Sequence, residues 1–532
     1  MIPRIIHQTW HSPVYTGGHG SPESWREMNP GWEYRLWTDD DLDAFVADAF
    51  PNYLDLFRSY PNVVQRTDMA RYMLLHRFGG VYADIDTDCL ASLDVLSKES
   101  RVVFCEEPRA HWNHARIVGL DSLFFNGTLA SPAGHPFWLY LLQMVRRCRH
   151  AAKKDVLAST GPLVLSASIA SWPDQASLSL NSCHLFAPLE SGAGKPSDEP
   201  EHGDYGACRL SRHNWASSWF TKVEETRYAR LKGKWRKWRT RMLQPRHLSP
   251  DEAARRIDRD ALLAPANAYS ADNPPNVAIC VPVRDAAPFI DRHLELINAL
   301  DYPPDRVRLV YCEGDSVDDT LARLRVAKQT HGRHFRGFDV LSRPRGFRVG
   351  REKRWKQAYQ LQRRASIAAA RNAIIHETLN ADDEWVLWLD IDVCDFTPDI
   401  IQHLLAVRRK IVMPNCVKEQ GGSSYDLNAF RTIGEPSLSI YYKHMHGGLF
   451  QPPENYWFRR HLHDLRFLDL VPLDSVGATM LLVHGSVHRA GLDFPEIPYR
   501  DLIETEAFGR LASDLGLQPV GLPNTEIFHV DN

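Results

Sequence analysis

The sequence has no CxxC pair and no cysteine spacing of the kind that holds zinc; its nine cysteines, an odd number, are scattered. That excludes a disulfide scaffold and points to reduced thiols. No apolar run is long enough to span a bilayer, and Met1 leads into an apparent strand rather than an apolar leader. A cytoplasmic protein is expected, touching a membrane at most from its surface. An excess of one charge is missing too: a net charge of −3 excludes a general polyanion binder. What is present is core material. With 532 residues, 44% of them hydrophobic and 10% aromatic, the chain has enough for two packed cores and is too long for one typical domain.

The densest local pattern runs from Arg66 to Asp88. Thr67 or Asp68 can cap a helix that is apolar nearly all round, and Gly79-Gly80 can end it in a conformation other residues avoid. The run Val81 to Ile85 then reads as a strand ending in Asp84, Asp86 and Asp88. Side chains two apart on a strand share a face, so Asp84 and Asp86 can reach one cation directly or through its water. Asp68 and Arg71, three apart on a helix, can accept from and donate to a sugar's hydroxyls. An isolated Asp-x-Asp is as readily a solvated turn; the whole string is more specific.

That string resembles glycosyltransferase family 32, whose members carry an Asp-x-Asp sugar-binding motif, over roughly residues 2–219. The resemblance implies a GT-A fold, a nucleotide-sugar donor, and a divalent metal, Mn²⁺ or Mg²⁺, on Asp84 and Asp86. It places Trp10 under the nucleotide base, with Tyr82, Asp68 and Arg71 at the donor. It completes the metal shell with His213 or Asn214 and sets Ser217 and Trp219 beside the phosphates. Trp10 is also readable as an ordinary core aromatic. The Asn126 segment and Thr160-Gly161-Pro162 match family turns and are assigned no catalytic role.

Between residues 227 and 246 there are seven Lys or Arg from Arg230 to Arg241, interleaved with Tyr228, Trp235 and Trp238, and no acidic residue. This reads either as a helix lying on anionic lipid, at about 1 kcal/mol per cation, or as a solvated interdomain helix. No nucleic-acid motif accompanies it, so nucleic-acid binding is not expected. The stretch from Pro265 to Pro275 reads as linker.

Beyond it, Val277 to Val281, a helical repeat through Ile290 and Leu300, and Val307 to Cys312 alternate as in a parallel nucleotide-binding sheet. A helix carrying Arg371 and Asn372 precedes the apolar run Trp385 to Leu389, which ends in Asp390-Ile391-Asp392. Apolar strand followed by paired carboxylates has recurred, without an evident sequence repeat. Pro282 to Ala287, Asp315 to Thr320, Arg371-Asn372, Asp390-x-Asp392, Tyr425 to Asn428, Val476 to Ala478, Ile503 to Glu506 and His529 together resemble glycosyltransferase family 62, the mannan-polymerase α-mannosyltransferases. That resemblance implies GDP-mannose with Mn²⁺. It makes Asp392 and His529 metal ligands, with Asp390 facing the ribose or a metal-bound water. It sets Pro282, Arg284, Asp285, Asp315, Arg371 and Asn372 at the donor, and Glu504 and Glu506 near the sugar or acceptor. The two glutamates are also readable as caps of the following helix. The basic run from Arg343 reads as a diphosphate-facing lid or a solvated loop.

The expected fold is thus α/β, with two GT-A domains in tandem: residues 1–225, a basic linker 226–275, and residues 276–532. The expected function is a bifunctional retaining glycosyltransferase acting on a glycan or lipid-linked saccharide, with GDP-mannose at the second site and GDP-mannose or a UDP-sugar at the first. Two competing readings are one active domain beside a glycan-binding scaffold, and a metal-dependent phosphohydrolase.

Overall fold

The computed structural model describes every residue except 19, 152–154, 192–194, 216–226, 244, 267–268, 351–352, 354–355 and 531–532. The chain divides into two compact units: Met1–Val223 with Asp464–Leu468, and Glu224–His463 with Asp469–Asn532. All nine cysteines are free, seven of them buried. Among the described residues no helix is long and apolar enough to cross a membrane.

The first unit is built on a six-stranded mixed sheet in the spatial order Glu33–Trp37, Ile5–Thr9, Gly80–Ala83, Thr128–Ser131, Val102–Cys105, Leu178–Asn181. The first three strands are parallel, and Gly80–Ala83 meets Thr128–Ser131 antiparallel. The helix Val63–Phe78 leads into Gly80–Ala83. Its N-cap is Asn62, which forms a capping box with Gln65, so Thr67 and Asp68 are interior positions and not the cap. Asn62 wins because Gln65 stands three residues on to complete the box, whereas Asp68 is drawn inward by Arg71. The helix ends as expected at Gly79 and Gly80, at φ +65° and +91°. A Cβ on Gly80 would lie 2.4 Å from the Ile5 carbonyl oxygen, so the neighbouring strand also demands glycine there.

The second unit carries a nine-stranded sheet whose main path is Gly337–Ser342, Val307–Glu313, Val277–Val283, Trp385–Leu389, Met480–His484, Ile411–Val417, Val520–His529, Val393–Asp395. Its first four strands are parallel, as the alternation predicts; from Met480–His484 onward the sheet is mixed. The helix Gln360–Thr378 packs over Val307–Glu313 and Val277–Val283. Segment 226–275, expected as linker, is largely folded into this unit. It forms helices Arg227–Leu243, Pro250–Arg255 and Arg259–Leu263, and Leu262 is fully buried, its carbonyl accepting from Lys410 Nζ at 2.8 Å.

One interior group gives this unit a pH dependence. His488 is buried; Trp388 Nε1 donates to its Nε2 at 3.2 Å, and its Nδ1 donates to Leu492 O at 2.9 Å. Both nitrogens are therefore used by the neutral ring. Burial holds its pKa down to about 4 from an ordinary 6.5. The unfolded chain takes up the proton first, so stability is intact above pH 6.5 and is lost as pH falls towards 4. The gap corresponds to on the order of 3 kcal/mol. Melting temperature should fall across that window, and His488→Gln should melt lower at neutral pH but lose less on acidification.

Candidate active sites

Both units end a central strand in Asp-Ile-Asp, and both build the same arrangement around it. Gly80–Ala83 and Trp385–Leu389 each lie between a parallel strand, Ile5–Thr9 or Val277–Val283, and an antiparallel one, Thr128–Ser131 or Met480–His484. Just past each ladder the first aspartate's N–H donates to the antiparallel neighbour: Asp84 to Gly127 O at 2.7 Å, Asp390 to Thr479 O at 2.9 Å. The chain then turns, and the residue after the second aspartate pairs with a histidine far along the sequence. Thr87 is opposite His213, and Val393 is opposite His529. These registers place the histidines on the second aspartates: His213 Nε2 lies 3.1 Å from Asp86, and His529 Nε2 lies 3.2 Å from Asp392.

A buried arginine from the preceding helix braces each first aspartate. In the first unit Arg71 lies 3.1 Å from Asp84 and 3.0 Å from Asp68, with its guanidinium 4.6 Å from the Tyr82 ring centroid. Tyr82 Oη donates to Asp84 at 3.0 Å. Asp68 also accepts from Asn126 Nδ2 and Thr160 Oγ1, each at 3.0 Å. Burial pushes Asp68 up to about 6 against the pull of Arg71. Asp68, Arg71 and Tyr82 were expected to face the donor. They are at most 3% exposed, and each has hydrogen bonds or ion pairs around Asp84, so they support its carboxylate from beneath. The two turns left without a role supply that support's anchors, Asn126 and Thr160.

Asp84, Asp86 and His213 each offer a ligand atom, all within 4.8 Å of one another, and among the described residues this is the only such three-donor group. Two carboxylates and an imidazole suit a hard or borderline divalent cation such as Mn²⁺. Asn214, the alternative third ligand, turns its amide to Asp88 at 3.2 Å, so His213 is the residue that faces the pair. Trp10, just beyond Ile5–Thr9, is half-buried and meets Tyr15 edge-on at 5.1 Å. Ser217 and Trp219 lie outside the described residues.

In the second unit Arg371, 3% exposed, lies 3.5 Å from Asp390 and forms a tight ion pair with Glu504. Burial, together with the neighbouring Asp392 and Asp426, raises Asp390, while Arg371 opposes. Glu504 occupies the N-cap position of Thr505–Asp514 but makes no capping bond there; its side chain goes to Arg371. Its φ of +59° is rare for an L side chain and costs about 1–3 kcal/mol, held by contacts around it. Glu506 is clamped between Arg364 and Arg459. The two glutamates are thus not caps.

These groups line a cavity of about 900 Å³. Asp390, Asp392, His529, Glu504 and Glu506 form part of its wall, and Pro282, Arg284, Asp285, Asp315 and Arg371 another. Asp285 and Asp315 also hold positive φ, at +48° and +62°, and Asp315 accepts from the N–H groups of Arg345 and Gly346 at 2.8 and 2.9 Å. Arg343, Arg345, Arg363 and Arg364 contribute to the lining, so part of the basic run faces the cavity. Asn372 is not among the lining residues. Its amide is used by the Phe494 backbone, donating at 2.9 Å and accepting at 2.9 Å, which fixes the ring that packs by Arg371. Asp392 and His529 bring two donor atoms within 3.2 Å of each other; Asp390, tied to Arg371, does not complete a three-donor group among the described residues. Tyr425, stacked on His529 at 3.8 Å, and Arg459 were assigned no role from sequence, since their partners are distant along the chain.

Residues 263–498 match the Anp1 family model, and residues 19–103 match the glycosyltransferase sugar-binding region containing the DXD motif. The two halves are related to two glycosyltransferase families. Inositol phosphoceramide mannosyltransferase 3 of Schizosaccharomyces pombe is 33% identical over 175 residues, 32% of this chain and 46% of that protein. The mannan polymerase complex subunit mnn9 of the same yeast is 29% identical over 276 residues, 48% of this chain and 80% of that subunit. The mannan polymerase II complex ANP1 subunit of Saccharomyces cerevisiae is 27% identical over 274 residues, 48% of this chain and 55% of that subunit. The chain spans about half the length of the inositol phosphoceramide mannosyltransferases it matches. Within these glycosyltransferase-related segments lie both Asp-Ile-Asp turns; Glu504, Glu506 and His529 fall beyond the matched ranges.

Proposed function

We propose that the chain is a bifunctional, metal-dependent, retaining glycosyltransferase of two GT-A domains, adding sugars to one glycan or lipid-linked saccharide. The donor is GDP-mannose at the second site and GDP-mannose or a UDP-sugar at the first. The observation that carries this reading is the recurrence: in each unit an Asp-Ile-Asp strand end, a buried arginine behind its first carboxylate and a late histidine on its second. Two unrelated structural salt-bridge clusters would have no reason to share all three features and both registers.

Departure of a glycosyl group leaves additional negative charge on the diphosphate, and whatever stabilises that charge speeds the step. A divalent cation held by Asp84, Asp86 and His213, or by Asp392 and His529, would supply Lewis-acid stabilisation of the leaving group. In the second unit Arg284, Arg343, Arg345 and Arg363 offer further positive charge to the diphosphate side of the cavity. Arg371 and Arg71 orient Asp390 and Asp84 and oppose the upward pKa shift that burial imposes on both carboxyls. Glu504 and Glu506, each fixed by arginine, give the sugar side two carboxylates of defined direction. The acceptor hydroxyl attacks from the leaving-group face and passes its proton to the departing phosphate.

Transfer from a panel of nucleotide sugars, with Mn²⁺, tests the reading in Asp84→Ala and Asp392→Ala chains. Each variant should lose one transfer by about 10²–10³-fold and leave the other. If one substitution leaves every transfer intact, that half is a scaffold; turnover of the nucleotide sugar without any acceptor dependence would indicate a hydrolase instead.

A further inference from the structure

The helix Arg227–Leu243 presents an apolar stripe to solvent where a soluble helix ordinarily presents polar groups. Leu231, Trp235, Trp238 and Met242 are 60, 53, 60 and 70% exposed. They follow each other at i, i+4, i+7 and i+11, so at 3.6 residues per turn they fall within about 60° of one another. The same spacing sets Lys234, Arg241 and Arg230 along one flank of the stripe and Arg239 and Lys232 along the other. Arg239 lies 5.5 Å from the Trp235 ring centroid.

The opposite side is committed to the protein. Gly233 is buried, and a Cβ there would come 2.6 Å from Ser439 N; Arg236 donates to Ser439 O at 3.4 Å. The helix is therefore seated by one face on Leu438–Tyr441, with its tryptophan face turned outward.

We propose that this helix is a docking element for the headgroup region of an anionic bilayer. Indole rings favour the depth at which headgroups meet acyl chains, and flanking Lys and Arg extend their stems along the apolar stripe to reach lipid phosphates. No carboxylate stands anywhere from residue 227 to 246 to repel such a surface. A nucleic acid would use the cations but not the exposed Leu231 and Met242.

The seat of the helix connects it to the active cavity. Tyr441, two residues beyond Ser439, lines a second cavity of about 390 Å³ with Phe430, Tyr456 and Phe458, and this cavity shares Phe450 and Arg459 with the 900 Å³ one. A docked helix would hold this adjacent aromatic-walled cavity near the lipid surface, suited to an acceptor saccharide carried on a lipid. That second step rests on the glycosyl-transfer reading; docking does not, and its test needs no turnover.

The intact chain would be sedimented with vesicles of phosphatidylcholine alone and of phosphatidylcholine with phosphatidylglycerol, at low and high salt. Binding to the anionic vesicles, weakened by salt, is expected. Trp235→Ser/Trp238→Ser and Arg230→Glu/Lys234→Glu should each reduce it by about tenfold or more without shifting the melting temperature, because all four side chains are exposed. Failure of the wild type to bind anionic vesicles overturns the proposal, as does a tryptophan variant that binds like the wild type. A single-stranded RNA that binds as tightly as the vesicles, and loses as much affinity in the tryptophan variant, overturns it in favour of a nucleic-acid surface.

Discussion

Arg371→Met should unfold the second unit at markedly lower temperature and abolish its transfer activity. Arg371 is 3% exposed and stands between Asp390 and Glu504. Methionine fills much of the same volume, so the loss is electrostatic rather than a cavity. Removing one partner of a buried ion pair costs about 3–5 kcal/mol, because the remaining charge keeps its desolvation penalty. Surface pairs in the same unit, such as Arg292 with Glu295, are exposed and contribute about 0–1 kcal/mol, so they cannot mask the effect. Adding Glu504→Gln to Arg371→Met should return part of the stability, since the nearer of the two orphaned carboxylates is gone and Asp390 remains, yet none of the activity. Chemical denaturation of the three variants, beside a transfer assay, separates the two roles. A double variant as unstable as the single one would show that packing against Phe494, 5.3 Å from the guanidinium, matters more than charge.

Gly477→Ala should be nearly as damaging, for a steric reason. A Cβ at this position would lie 1.8 Å from Asp426 Oδ2, with the carboxyl carbon at 2.1 Å. Asp426 cannot swing away freely: Thr479 Oγ1 donates to it at 2.7 Å, and the N–H of Asn428 at 3.1 Å. Thr479 O in turn accepts from Asp390 N, so displacing Asp426 disturbs the turn that aims Asp390 into the cavity. Overpacking of a rigid site costs about 1–3 kcal/mol, and leaving Asp426 without its donors adds a buried, unpaired carboxylate. Melting should fall accordingly and transfer at this site should be lost. Gly31→Ala is the control, since nothing lies within 4 Å of a Cβ there, and it should leave melting and transfer unchanged. Wild-type melting by Gly477→Ala would mean the Thr479 segment relaxes without cost.

The parts of both sites that were legible in the sequence are those set by local periodicity. A helix followed by two glycines, an apolar strand and alternate carboxylates can be read as a unit, because turn chemistry and burial operate over a few residues. Long-range pairings could not be read that way. Arg371 and Glu504 are 133 residues apart, and Thr160 lies 92 residues from Asp68. The burial of Asp68, Arg71 and Tyr82 was not legible: helical spacing puts Asp68 and Arg71 on one face but does not say whether that face meets solvent or sheet. Nor was it legible that Asn372, one position along its helix from Arg371, turns its amide to the Phe494 backbone. The linker expectation failed because its basic composition hid buried Gly233 and Leu262, each placed by packing.

By itself the sequence determined that this chain has two α/β halves, each ending a strand in paired aspartates, because strand periodicity and the carboxylates' chemistry are both local. Only the tertiary structure decided which histidine meets which aspartate, which arginine is buried behind it, and which face of the basic helix is left in solvent. Those are choices of strand register and packing, and they are settled by where the rest of the chain buries its apolar surface.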